Sequence, residues 1–252
     1  MREIAYAKLN LALHVRAREP DGYHRIETVF AFCEDGDVLT AAPADALSLA
    51  VTGPFAGALE GERDNLVLRA ARAVGACAAL TLDKRLPVAA GLGGGSADAG
   101  AVLRMFGGST AIAAALGADV PACLVSRGAR GEGKGDRIEP VELPGLAGMP
   151  VLLVNPGIAL PTAAVFAAWD GVDRGPLGDW ESGRNDLEAP ARRLVPEISD
   201  TLRALAGARI ARMSGSGATC FGLFDGEAAR DAAAARIAAA RPRWWLSQTR
   251  LR

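Results

Sequence analysis

Gly91, Gly93, Gly94 and Gly95 place four glycines in five positions, and Ser96 follows the last of them directly. Packing alone gives no reason for such a run, because each glycine costs backbone entropy on folding. What it provides is access to positive φ and close approach of the backbone to a ligand. Leu80 to Leu86 alternates like a strand, Pro87 ends it, and Ser96 to Met105 has helical spacing. A glycine turn between a strand and a helix aims successive N–H groups, and a helix N-terminus, at one spot. That is a site for a di- or triphosphate, built without any basic side chain.

Three other readings of the run are open to check. A Walker A loop needs Lys and then Ser/Thr after its last glycine, and no lysine stands there. A dinucleotide fingerprint needs a third glycine where Ser96 stands, in the first βα unit of a parallel sheet. Asp119 has about the spacing of that fingerprint's ribose-binding acid, but a helix-like segment precedes it and Pro121 follows. A plain surface loop does not account for the strand and helix on either side. Ser96 and Asp98 can both be helix-capping residues, and for Asp98 capping is the reading adopted.

Further motifs lie in order along the chain. Ala7-Lys8-Leu9-Asn10-Leu11 comes first, then Pro20-Asp21-Gly22-Tyr23-His24, then the glycine run. Leu116-Gly117-Ala118-Asp119-Val120-Pro121 and Ser214-Gly215-Ser216-Gly217-Ala218-Thr219 follow. Together they resemble the GHMP-superfamily kinases. Asp-Gly-Tyr-His with Gly-Ala-Asp-Val-Pro resembles the members that phosphorylate a cytidine-diphosphate sugar-alcohol in the non-mevalonate route to isoprenoid precursors. The resemblance spans about residues 5–224 and takes in Asn65 and Asn185-Asp186-Leu187. A homoserine- or mevalonate-type kinase would have no use for Tyr23 and His24. A non-catalytic nucleotide-binding module would have no use for Lys8 and Asp119.

The resemblance implies ATP with Mg²⁺ as cofactor and a small-molecule alcohol as acceptor. Asp119 would be the general base on the acceptor hydroxyl, with Lys8 stabilising the developing charge. Gly91, Gly93, Gly94, Gly95 and Ser96 would hold the ATP phosphates, and Asn10 would hydrogen-bond the acceptor. Tyr23 and His24 would take the cytosine, one by stacking and one by hydrogen bonding. Phe166 would stack on its other face or else serve as core packing. Asn65 would lie near the adenine or else cap the helix that starts at Leu66. Gly215, Ser216 and Gly217 would pack against the phosphate loop and enclose the acceptor's diphosphate, although an ordinary hairpin would look the same. Arg127 to Arg137 could supply phosphate contacts, but it reads better as a solvated hairpin. No carboxylate pair marks a metal site. Ala97 stands where the family's loop has a second serine, and the segments near 76–80 and before Asp119 are short for the family, which bears on the adenine side.

The elements that must position these residues are strands near 4–16, 25–33, 36–41, 46–52 and 80–86, and helices at 66–76, 96–105 and 109–117. Beyond a composition change near Leu143-Pro144-Gly145 come a strand at 151–154, helices at 162–169 and 186–206, and strands at 208–213 and 218–224. A helix at 227–240 and a strand at 244–250 follow. Strands and helices do not alternate simply, so the expected class is α+β. The expected shape is a two-lobed GHMP kinase-like fold, with domains 1–145 and 146–252 and the site in the cleft between lobes. The chain has 252 residues, half of them hydrophobic, enough for a core of that size. Its net charge of −1 gives no field to attract nucleic acid or an anionic membrane. Cys33, Cys77, Cys123 and Cys220 lack metal or disulfide spacing, which fits a reducing compartment. No leader or apolar span is evident, so a cytoplasmic enzyme, monomeric or weakly dimeric, is expected.

Overall fold

β1 (Arg2–Arg18) is buried on both faces over its central residues. Ala7, Leu9 and Leu11 point into one core, while Lys8 and Asn10 project together from the other side, joined by a hydrogen bond. Register shifts in the pairing of β1 with β2 fall on either side of this pair. Such irregularities re-aim side chains next to functional sites.

The structure, a computed structural model, describes residues 1–62 and 65–252; Arg63 and Asp64 lie outside the described residues. β2 (His24–Pro43) is one long strand where two shorter ones were expected. Gly36 lets it run on, since a Cβ there would meet the Ala5 carbonyl oxygen of β1 at 1.9 Å. β2 pairs with β1, and also with β4 (Ala78–Asp83) near its end and β5 (Ala129–Gly133) near its start. β3 (Ser48–Thr52) and β6 (Arg137–Pro140) complete a six-stranded sheet. One core lies between this sheet and α1 (Leu66–Ala73), α2 (Gly94–Phe106), α3 (Thr110–Leu116) and α4 (Val120–Val125).

The second lobe is a four-stranded antiparallel sheet in the order β10-β7-β9-β8. Its strands are β7 (Pro150–Asn155), β8 (Ile210–Met213), β9 (Cys220–Leu223) and β10 (Trp245–Arg250). Around it lie α5 (Thr162–Ala167), α6 (Glu188–Leu194), α7 (Glu197–Ala204) and α8 (Glu227–Ala240). The single helix expected over 186–206 is broken at Pro196, which has no N–H to continue it. A further core of Leu9, Leu11, Val29, Phe221 and Leu251 joins the two sheets. The class is α+β with two lobes. Among the described residues, no helix is long and apolar enough to cross a membrane.

Candidate active site

Lys8 and Asp119 come from elements 111 positions apart and meet at 3.1 Å between Nζ and Oδ2. The lysine side chain is 4% exposed and the aspartate 38%. The cation is therefore fixed in the wall, and the carboxylate is open to whatever enters. Lys8 also donates to Asn10 Oδ1 at 2.9 Å and lies 4.6 Å from the Phe30 ring centroid. Asn10 Nδ2 donates to Thr28 Oγ1 at 2.8 Å. Asp119 stands at the N-terminus of α4, a helix absent from the sequence expectations. Its side chain makes no capping bond, so the carboxylate is left to the cleft.

The glycine loop is pinned to this pair. The Lys8 N–H donates to the Leu92 carbonyl at 2.9 Å. A Cβ on Gly93, whose φ is +62, would sit 2.8 Å from Lys8 Cε. The Ser214–Gly217 turn between β8 and β9 packs on the loop from the other lobe. Ser214 Oγ donates to the Gly91 carbonyl at 2.9 Å and accepts the Asn10 N–H at 3.2 Å. Asn185 Nδ2 donates to the carbonyls of Met213 and Gly215, both at 2.8 Å, and so holds the turn in shape. Gly215 and Ser216 face the cleft, whereas Gly217 turns inward against Met213 and Ile198.

The cleft encloses about 850 Å³ and is lined by Lys8, Asn10, the glycines, Ser96 and Asp119. Tyr23, His24 and Phe166 line it as well. The His24 and Phe166 ring centroids are 4.8 Å apart, and Trp169 meets His24 edge-on at 5.6 Å. Burial, with Arg18 nearby, holds the His24 imidazole below its ordinary pKa. Phe166 lines the cleft and also packs against the core of the second lobe. Asn65 caps α1, its Oδ1 accepting the Leu68 N–H at 3.2 Å. It also lines an adjoining cavity of about 200 Å³ that shares Leu66, Ala89, Gly94 and Gly95 with the cleft.

Beneath the first turn of α2 lies a group that the sequence reading missed. Lys84 Nζ donates to Asp37 Oδ2 at 2.5 Å and to Asp98 Oδ2 at 2.8 Å, with all three side chains buried. The ammonium would be 3.0 Å from a Cβ on Gly94, so a basic side chain does underlie the loop. Asp98 is thus an ion-cluster residue and not a helix cap. Asp37 Oδ1 also accepts the N–H groups of Arg85 and Leu86, at 2.6 and 2.8 Å. Among the described residues, Asp98 Oδ1 has no hydrogen-bond partner.

Burial raises the Asp98 carboxyl to about 7, Lys84 opposing the shift and Asp37 adding to it. A carboxyl raised on folding stabilises below its unfolded pKa, and that contribution is lost as pH rises through about 7. Asp98→Asn does not titrate. Its melting temperature relative to the native chain should therefore climb between about pH 4 and about pH 7 and level off above that. A difference that stays flat across that range would show that burial does not burden the carboxylate.

The chain's similarities agree with this geometry. Residues 173–242 match the model of GHMP kinases C terminal. A curated 4-diphosphocytidyl-2-C-methyl-D-erythritol kinase of Rhizorhabdus wittichii is 57% identical, over 99% of this chain and 94% of its own length. The crystal structure of a 4-(cytidine 5'-diphospho)-2C-methyl-D-erythritol kinase superposes with a TM-score of 0.82 at 36% identity, over 99% of both chains. This chain belongs to the 4-diphosphocytidyl-2-C-methyl-D-erythritol kinase family. The mevalonate kinase of Methanococcus jannaschii, with a TM-score of 0.66 at 10% identity over 100% of this chain and 98% of its own, shares the fold alone.

In this member of the 4-diphosphocytidyl-2-C-methyl-D-erythritol kinase family, the elements bring Lys8, Asn10, Asp119, Gly91, Gly93, Gly94, Gly95, Ser96, Gly215 and Ser216 to one cleft. The sequence reading gave Lys84 no role and took in Lys134 only as part of the Arg127–Arg137 stretch. The signal for Lys84 was its place in Asp83-Lys84-Arg85, directly before the buried Leu86 and the loop. Lys134 lay within the stretch read as a solvated hairpin, and it lines the cleft.

Proposed function

We infer that this chain transfers the γ-phosphate of ATP to a hydroxyl of 4-diphosphocytidyl-2-C-methyl-D-erythritol, a step toward isoprenoid precursors by the non-mevalonate route. The observation that carries this reading is the Lys8–Asp119 pair, 3.1 Å apart beside Gly93. Asp119 takes the proton as the hydroxyl oxygen attacks the γ-phosphorus, and the bond from phosphorus to the ADP oxygen breaks in line. Lys8 meets the charge that gathers on the transferring phosphoryl group, and little covalent help beyond that is needed.

Asn10 acts partly through Lys8. Its Oδ1 fixes the ammonium, and from the wall of the cleft it also hydrogen-bonds the acceptor, since one N–H and one lone pair of the amide remain after Thr28 and Lys8. The N–H groups from Gly91 to Ser96 cradle the phosphates at the start of α2. The adenine enters the cavity beside Asn65. Tyr23 and Phe166 face the cytosine, and His24, kept neutral, hydrogen-bonds its edge.

Mg²⁺ accompanies ATP and screens the charge of its phosphates when bound. Among the described residues, no group of three His, Cys, Asp or Glu side chains could hold it. Ser96, in the first turn of α2 and lining the cleft, would offer it a hydroxyl oxygen. Phosphate and water would complete its shell, as they commonly do for this ion.

The assignment of the cytosine end is tested by Tyr23→Ala. Loss of one base–aromatic stack should raise KM for the acceptor roughly tenfold to a hundredfold, while KM for ATP stays nearly constant. An unchanged acceptor KM would take the ring out of substrate binding.

A further inference from the structure

This inference rests on the reading above. An acceptor with its base against Tyr23 and its hydroxyl at Asp119 must carry its two phosphates across the middle of the cleft. Among the residues lining that cleft, Lys8, Arg18 and Lys134 bear a permanent positive charge. Lys8 is committed to Asp119 and Asn10. Arg18 is exposed at the end of β1, where its charge acts on His24.

Lys134 occupies the tip of the turn between β5 and β6. Gly133 and Gly135 flank it with φ of +72 and +93, values that let the chain reverse tightly. The turn is fixed by the Lys134 N–H donating to Asp136 Oδ1 at 3.0 Å and the Gly135 N–H to the Glu132 carbonyl at 3.1 Å. At one side of the tip, a Cβ on Gly135 would lie 4.0 Å from Asp119 Oδ1. At the other, the Lys134 ammonium meets Asp21 Oδ2 at 2.8 Å and lies 3.7 Å from the Tyr23 ring centroid. One turn therefore reaches from the base that works on the hydroxyl to the ring that faces the nucleoside.

We propose that Lys134 clamps the acceptor's diphosphate, its ammonium passing from Asp21 to the phosphate oxygens as the acceptor binds. The lysine and aspartate side chains are 40% and 54% exposed, and an ion pair so open to water contributes little. A diphosphate offers more negative charge and several strong acceptor oxygens, so the exchange runs toward the ligand. Asp21 then holds the lysine at the cleft mouth when the acceptor is absent. The clamp recognises a nucleoside joined to its alcohol through a diphosphate and gives no advantage to an alcohol without one.

Calorimetry with the native chain, Lys134→Gln and Asp21→Asn tests this, using cytidine and cytidine diphosphate as probes and ADP filling the nucleotide site. Lys134→Gln should weaken cytidine diphosphate by about tenfold, the usual scale of a charge-assisted hydrogen bond, and leave cytidine unchanged. Asp21→Asn should bind cytidine diphosphate as tightly as the native chain or more tightly, because the lysine is no longer shared. If both variants lose cytidine and its diphosphate alike, Lys134 is only a strut between two turns and the clamp is overturned. If the native chain binds neither probe, the cytidine reading itself fails, a result separable from the first, and the clamp goes with it.

Discussion

Asp119→Asn is expected to lower kcat by roughly two to four orders of magnitude, the usual contribution of a positioned general base. KM for both substrates should stay within a few fold. The carboxylate is 38% exposed, caps no helix, and has Lys8 as its ion partner, so its charge is not what holds the fold together. Lys8 keeps Asn10 Oδ1 and the face of Phe30 in the variant and remains in place. The loss should therefore appear in the chemical step and not in binding or melting temperature. Steady-state kinetics with both substrates varied will show the split. A variant within tenfold of native kcat would remove Asp119 from the proton transfer.

Gly91→Ala should be among the most destabilising single substitutions in the chain. The residue has φ of +76, and its Cβ would lie 2.3 Å from the Ser214 carbonyl oxygen and 2.9 Å from the nitrogen and oxygen of Gly217. All three atoms are backbone, in a turn tied down by Asn185 and by the Asn10 N–H. Neither wall can yield cheaply. Left-handed strain costs about 1–2 kcal/mol, and overpacking adds about 1–3 kcal/mol. Gly95→Ala is the matched control, since its Cβ would meet only Leu66 Cδ1, at 3.7 Å, inside α2. There alanine favours the helix by about 1 kcal/mol. Thermal melts should separate the two variants by many degrees, with Gly95→Ala at or above the native value. Equal melting temperatures would mean that the two lobes do not meet through this loop.

The local grammar of the loop was legible because it is local. A strand, four glycines and a helix lie within about 25 residues, although the helix expected from Ser96 already begins at Gly94 and takes in the last two glycines. Ser214–Gly217 was legible for the same reason, and it packs where the family resemblance put it. The Asp37–Lys84–Asp98 cluster was not, because 47 positions separate Asp37 from Lys84, and nothing local says that either is buried. Read in its own helix, Asp98 near an N-terminus suggests capping; only the packing of β2, β4 and α2 shows it facing an ammonium. α4 was hidden by Pro121, which reads as a breaker in sequence yet sits comfortably in a helix's first turn. Asn65 was left between two readings, and it both caps α1 and lines the smaller cavity. Lys134 looked solvated because its hairpin is charged and glycine-rich. The position of that hairpin over the cleft is set by β2 pairing with β5, with Glu27 opposite Glu132, and by a side-chain hydrogen bond from Arg130 to Glu27 across 103 positions of sequence.

Whether this cleft phosphorylates a cytidine-diphosphate-linked alcohol is decided by phosphate transfer from Mg-ATP to 4-diphosphocytidyl-2-C-methyl-D-erythritol, with homoserine and mevalonate present as competitors. Label should appear in the cytidine compound alone, and roughly a hundredfold to ten-thousandfold more slowly when Asp119→Asn replaces the native chain. Transfer to homoserine or mevalonate in preference, or no transfer to any of the three, would contradict that activity.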